Sequence, residues 1–236
     1  MPGQSTISRA IKWGILTTFT PLAVSLFAAN FYIALWYVSM AIAETPHQGP
    51  PPLHVIQRGI IVTAWVGLWF TLLMWWFLHR KQANFSTLFK TQSNNLRRDL
   101  ALGLSVGGAL VVFYGILGWP TFSEMFVFDS AKLMSLPASL SAGFCEELLF
   151  RGFVICLIAK AGANARAQVG WSSIAFGLAH FHWGPVGMLF AIGLGIVFSV
   201  VTLRRGSVWA AVIAHMLLNL CVEPGLFEKA LSYTRG

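Results

Sequence analysis

Long apolar runs, separated by short polar or basic segments, dominate this sequence and limit the folds that it can adopt. About 20 consecutive apolar residues are enough for a helix to cross a lipid bilayer. The composition agrees, because 56% of the residues are hydrophobic and only 10% are charged, whereas a soluble domain has about 25% charged residues. We therefore predict an all-α integral membrane protein.

The apolar runs predict a polytopic membrane helix bundle with about seven transmembrane helices. Their predicted bounds are 13–42, 59–78, 100–117, 135–158, 169–181, 186–203 and 208–222. Ser135 is predicted to cap the fourth helix, with Pro137 in its first turn. The segment 119–135 before it is predicted to be an interfacial loop. The first run is too long for a signal peptide and has no clear cleavage site, so we expect a helix there.

Nothing in the sequence divides the chain, so we predict one integral membrane domain over residues 1–236. Internal repeats and low-complexity stretches, which would indicate a solenoid or linkers, are not found in the sequence. The three cysteines, Cys145, Cys156 and Cys221, all lie in apolar runs. They predict no disulfide framework, because buried thiols commonly serve as small apolar side chains.

Basic residues are distributed unequally between the connecting segments, and this predicts the orientation of the bundle. With a cytoplasmic N-terminus and an extracytoplasmic C-terminus, eleven basic residues lie on the cytoplasmic side and four outside. The eleven are Arg9, Lys12, Arg80, Lys81, Lys90, Arg97, Arg98, Lys160, Arg166, Arg204 and Arg205; the four are Arg58, Lys132, Lys229 and Arg235. This bias and contact with anionic lipid explain the net charge of +8, so we expect no nucleic-acid partner.

Three charged residues interrupt the apolar run "AGFCEELLFRGF", namely Glu146, Glu147 and Arg151. Each ionised side chain costs about 2.5–3.5 kcal/mol at the centre of a membrane helix, so such residues usually have a function there. Glu147 and Arg151 are four residues apart and can form an ion pair on one helix face. Glu146 points about 100° away from Glu147 and lacks that partner.

Two later helices carry further polar groups one turn apart. The segment "FGLAH" contains Phe176 and His180, and "HMLLN" contains His215 and Asn219. Taken singly, each polar residue is explained by a hydrogen bond between helices, and Phe176 by the core. A free carboxylate, two imidazoles and an amide on three helices together favour a shared active site.

These groups are suited to amide hydrolysis. Glu146 could act as general base for a bound water, with His180 sharing the proton. His215 and Asn219 are hydrogen-bond donors that could stabilise the oxyanion of a tetrahedral intermediate. Glu147 and Arg151 are predicted to support the site rather than to react.

The motifs Glu-Glu-x-x-x-Arg, Phe-x-x-x-His and His-x-x-x-Asn, in this order, resemble those of the CPBP family. This family contains CAAX prenyl proteases and bacteriocin-processing enzymes, the intramembrane glutamic endopeptidases. The resemblance covers about residues 135–223 and implies a metal-independent endopeptidase with a conical cavity inside the membrane. It implies catalytic roles for Glu146, His180, His215 and Asn219, with Glu147, Arg151 and Phe176 in support. The N-terminal helices within 13–78 match no motif, and we expect them to be accessory.

The depth of these residues suggests a class of substrate. Glu146 lies nine residues after Pro137, which is about 13 Å along a helix, and His180 lies five residues before Pro185. We therefore expect a site in the central to outer half of a cell membrane, such as a bacterial inner membrane. A peptide or protein substrate with a membrane-associated segment fits this site. Candidates are a peptide leader, a C-terminal sorting signal and a prenylated CAAX tail.

Three other functions are compatible with parts of the pattern. A zinc protease could use His180, His215 and a glutamate, although the sequence has no His-Glu-x-x-His motif. A proton-coupled transporter also buries such groups, but repeat symmetry or broken helices are then expected. A non-catalytic scaffold or immunity protein would have the same fold. We expect His182 at the outer interface, with a direct role as the lesser alternative, and the oligomeric state is left open.

The predicted orientation can be tested with reporter fusions. We expect a fusion within 79–98 to report a cytoplasmic location, because this segment is rich in basic residues. A fusion after residue 236 is expected to report the opposite side and serves as the internal control. An extracytoplasmic location for 79–98 would contradict the prediction.

Overall fold

A computed structural model describes residues 96–117, 130–160, 162–180 and 184–233, together with isolated helical positions between 38 and 72. The elements within these ranges are all helical, which confirms the all-α class. The predicted helices 13–42 and 59–78, most of the loop 119–135, and His182 lie outside the described residues or are described only at single positions.

The described helices follow one another closely. They are α1 (Leu96–Ile116), α2 (Ser130–Glu147), a π-helical segment (Leu148–Val154), α3 (Ile155–Lys160), α4 (Ala165–Ala179), α5 (Gly184–Arg205) and α6 (Trp209–Tyr233). Within the described part of the chain, α1 and α5 are long and apolar enough to cross a membrane, with mean hydropathies of 1.8 and 2.4. The first portion of α6, Trp209–Val222, is a shorter apolar helix. Two of the seven predicted crossings are thus supported by length and composition.

Two helix bounds differ from the prediction by five residues or more. α2 begins at Ser130, so Ser135 is not its cap, 130–135 is not loop, and Pro137 lies inside the helix. α6 continues past residue 222 to Tyr233. Both predicted bounds, Ser135 and Val222, lie two residues before a proline. Inside a bilayer, however, a chain that leaves the helix exposes unpaired backbone groups to lipid, so helices continue through proline more readily than in water.

A π-helical segment follows Glu147 directly, and no feature of the sequence indicates it. The amide of Ile155 donates to the carbonyl of Phe150, five residues earlier. The same carbonyl accepts a hydrogen bond of 3.0 Å from Ser172 Oγ of α4, and Ser199 Oγ of α5 lies 3.4 Å from Ser172 Oγ. Side chains of two other helices therefore stabilise the widened turn.

α6 packs closely against both α1 and α2. A Cβ atom at Gly107 of α1 would lie 2.9 Å from the carbonyl oxygen of Ala214, and one at Gly143 of α2 would lie 3.0 Å from the backbone nitrogen of Met216. Gly103 makes a similar approach to Ala210. These contacts show that α1 runs parallel to α6. Because backbones approach where side chains are absent, the two glycine-bearing helices fix the position of α6.

A buried ion pair ties the start of α1 to the turn between α5 and α6. Asp99 is fully buried; its Oδ1 accepts a hydrogen bond of 2.7 Å from Arg205 Nε, and its Oδ2 accepts one of 2.8 Å from Ser207 Oγ. Gly206 allows the turn, since its φ of 63° lies in the left-handed region. The N-terminus of α1 and the C-terminus of α5 therefore lie at the same end of the bundle.

Adjacent glycines of α1 allow a matched test of this packing. We expect Gly107→Ala to lower the free energy of unfolding by about 1–3 kcal/mol, because the new methyl group meets the backbone of Ala214. Gly108→Ala is the control, since a Cβ there would meet nothing within 4 Å. Unfolding titrations in detergent measure both variants. Equal effects of the two substitutions would contradict the close approach of α1 and α6.

Candidate active site

Glu146 of α2 faces two histidines that come from two other helices. Its Oε2 lies 3.8 Å from Nε2 of His180, at the end of α4, and 3.9 Å from Nε2 of His215 on α6. This oxygen is buried and makes no hydrogen bond with the described residues. Glu146 was predicted to lie near both histidines and not to share Arg151, the partner of Glu147. The geometry agrees with this prediction.

Glu147 meets the other ring nitrogen of His215 and is fully buried. Its Oε1 accepts a hydrogen bond of 2.8 Å from Nη1 of Arg151, as the spacing predicted. The same oxygen lies 2.8 Å from Nδ1 of His215, a bond that the sequence analysis missed. Spacing within a helix predicts partners on that helix, and nothing in the sequence indicates which face of α6 meets α2.

The hydrogen bonds assign the tautomers of both histidines. Nδ1 of His180 lies 2.8 Å from the carbonyl oxygen of Phe176, and a carbonyl oxygen can only accept, so Nδ1 carries the proton. Nδ1 of His215 donates to Glu147, whose carboxylate also binds Arg151. Both rings therefore turn Nε2 toward Glu146. In each ring this atom accepts a proton when the imidazole is neutral and donates one when it is cationic.

Aromatic rings enclose the charged groups. The centre of the Phe176 ring lies 4.3 Å from the guanidinium carbon of Arg151 and 4.5 Å from the ring of His180. The ring of Phe198, on α5, stacks on His215 at 5.1 Å with an interplanar angle of 25°. Phe176 was expected beside the site, whereas Phe198 was missed because one phenylalanine in an apolar helix carries no sequence signal.

Asn219 lies on α6, one turn after His215, and is half-buried. Residues four apart on a helix share a face, so its amide lies on the side of α6 that carries His215. His182, the lesser candidate, lies outside the described residues.

The revised helix bounds change the expected depth of the site. Glu146 follows Ser130 by sixteen residues and precedes Lys160 by fourteen, which is about 24 Å and about 21 Å along the helix. His215 follows Trp209, the first residue of α6, by six residues, or about 9 Å. One of the two grounds for a site in the central to outer half was a helix start near Ser135, and that start is wrong; the other ground was the position of His180 before Pro185. By these bounds Glu146 lies near the middle of the helix that carries it, whereas His180 lies at the end of α4.

The arrangement has the parts of a proton-transfer site. The two distances from Glu146 exceed the range of about 2.7–3.2 Å for a direct hydrogen bond, and they suit three groups that share one water molecule. Among the described residues, no three His, Cys, Asp or Glu side chains form a group that could hold a metal ion.

The comparisons with known proteins concern the same segment. Residues 129–221 match the family model "Type II CAAX prenyl endopeptidase Rce1-like". The match begins one residue before α2, ends two residues after Asn219 and includes all three motifs. The curated proteins and the solved structures gave no match. The match over residues 129–221 is consistent with the CPBP family that the motifs indicated, and the Rce1-like family is a family of membrane-embedded proteases.

Proposed function

We propose that this chain is a glutamic-type intramembrane endopeptidase that hydrolyses a peptide bond of a membrane-associated or secreted precursor. One observation carries the proposal. The unpaired oxygen of Glu146 is faced by Nε2 of His180 and of His215, each less than 4 Å away. A carboxylate between two imidazoles can accept, hold and return the proton that hydrolysis moves.

In this mechanism, Glu146 removes a proton from a water molecule bound between it and His180. The water oxygen attacks the carbonyl carbon of the substrate, and a tetrahedral oxyanion forms. Nε2 of His180 shares the proton with Glu146, and the proton is then transferred to the substrate nitrogen. When the C–N bond breaks, the amine leaves with that proton, and the other product is a carboxylic acid.

His215 and Asn219 are proposed to stabilise the oxyanion. Nδ1–H of His215 already donates to Glu147, so Nε2 can donate to the oxyanion only in the cationic form of the ring. The negative charge of Glu147 stabilises that cation, and Arg151 donates a hydrogen bond to the same carboxylate. The proposed role of Glu147 and Arg151 is therefore to stabilise the cationic form of His215. The amide of Asn219, one turn further along α6, is the second proposed donor.

We expect the substrate to have a membrane-associated segment, because the site lies about 20 Å from either end of the continuous helix that carries Glu146. A prenylated CAAX tail, a peptide leader and a C-terminal sorting signal all meet this requirement. The first is the substrate class in the description of the matching family. We propose a multi-pass protein of a cell membrane with a cytoplasmic N-terminus, acting without a cofactor or a nucleic-acid partner.

The proposed roles can be tested by cleavage assays on purified protein in detergent with peptides of the three classes. We expect Glu146→Gln to lower kcat by about 10²- to 10⁴-fold, because the general base is lost. His215→Ala is expected to lower kcat by about 10²- to 10³-fold, because an oxyanion donor is lost. Arg204→Gln, which removes an exposed charge at the end of α5, is the control and should cleave normally.

Folded Glu146→Gln protein that cleaves at the wild-type rate would contradict the proposal. The same assay separates the alternatives. Loss of cleavage after prolonged chelation, with recovery on adding zinc, would favour a zinc protease. Proton flux in liposomes without cleavage of any peptide would favour a transporter. Full biological activity of Glu146→Gln would favour a scaffold or immunity protein.

A further inference from the structure

α5 contains none of the three motifs, yet one of its residues lies against the centre of the site. Phe198 is completely buried, and its ring stacks on the imidazole of His215. The same ring lies 5.3 Å from the guanidinium carbon of Arg151. Phe198 therefore contacts two members of the network that surrounds Glu147, and it approaches His215 from the face of the ring.

The bond to Glu147 alone does not fix the orientation of His215. It holds one atom, Nδ1, at 2.8 Å from the carboxylate, and the ring can still rotate about that contact. Such rotation would carry Nε2 away from Glu146 and from the oxyanion position. Two aromatic contacts restrict it, because Phe176 meets the ring edge-on at an angle of 76° and Phe198 covers its face.

A stacked ring also affects the charge of the imidazole. The face of an aromatic ring is electron-rich and attracts a cation, and this attraction is stronger where water is excluded. The proposed oxyanion role requires the cationic form of His215. Phe198 therefore favours both the orientation and the charge that this role needs.

We propose that Phe198 is a positioning residue for this reaction, which holds the imidazole of His215 with Nε2 toward Glu146 and stabilises its cationic form. This inference rests on the proposed function. A residue that only fills the core would act through volume and apolar surface, and leucine supplies most of both. A positioning residue acts through its aromatic face, which leucine lacks.

Three variants separate these roles. Phe198→Leu removes the aromatic face, Phe198→Tyr retains it, and Phe190→Leu is the control. Phe190 lies on the same helix, is half-buried, and packs on Tyr114 instead of the site. We expect Phe198→Leu to lower kcat by about 10- to 100-fold with little change in KM, as for a misplaced catalytic group. Phe198→Tyr should retain kcat close to wild type, and Phe190→Leu should leave kcat unchanged.

A second measurement needs no substrate. Diethylpyrocarbonate modifies histidines, and mass spectrometry of the peptide that contains His215 gives the rate of modification. We expect faster modification of His215 in Phe198→Leu than in the wild type, because the ring is no longer covered, and an unchanged rate in Phe190→Leu. Thermal unfolding of each variant shows whether the bundle has stayed folded.

The outcomes distinguish this inference from the proposed function. If the wild type cleaves and folded Phe198→Leu has the wild-type kcat, the inference is wrong and the proposed function stands. A fall in kcat that Phe190→Leu shares would also overturn it. If the wild type cleaves no peptide, the proposed function fails, and the modification rate of His215 alone decides whether Phe198 orders that ring; an unchanged rate would refute it.

Discussion

One buried oxygen, Oε1 of Glu147, holds the site together. It accepts hydrogen bonds from Arg151 in the π-helical segment and from His215 on α6, each 2.8 Å long. Removal of either donor would leave the buried carboxylate less well compensated in a medium that solvates charge poorly. Because consecutive residues of a helix point about 100° apart, fixing Glu147 toward Arg151 and α6 also fixes the direction of Glu146. The direction of the Glu146 carboxylate is thus set by its neighbour.

The packing of the bundle makes this bond possible. α6 must approach α2 closely enough for His215 to reach Glu147, and Gly143 removes the side chain that would prevent it. On its other side α6 is held by Gly103 and Gly107 of α1. The ion pair of Asp99 with Arg205 sets the level of α1 relative to the turn that begins α6. Glycines thus set the distances of α6 from α1 and α2, and the buried ion pair sets the position of α1 along its axis relative to α6.

Much of the site could be predicted from the sequence, because its residues stand out chemically from apolar helices. Glu146, Glu147, Arg151, His180 and His215 were recognised from the cost of polar groups in a membrane and from their spacing, and the structure places all five together. The helix class and the approximate positions of α1, α4 and α5 followed from apolar run length. These features depend on local sequence.

What the sequence could not predict depends on contacts between helices. Phe198 and Ser172 look like ordinary core residues until α4 and α5 are placed against the π-helical segment. The bond between Glu147 and His215 joins residues 68 positions apart. The start of α2 was misplaced because Pro137 was given the meaning that proline has at helix starts in water. The same assumption supplied one of the two grounds for the expected depth of the site.

The charges of Glu147 and Arg151 depend on each other inside the bundle. A double-mutant cycle on the free energy of unfolding, with Glu147→Gln and Arg151→Met, tests this dependence most directly. We expect Glu147→Gln alone to cost about 3–5 kcal/mol, because it leaves Arg151 buried without a counter-ion. The double variant should be more stable than Glu147→Gln alone, since no unpaired charge is left. Single effects that add to within about 0.5 kcal/mol would show that the two residues are independent, and would contradict the account.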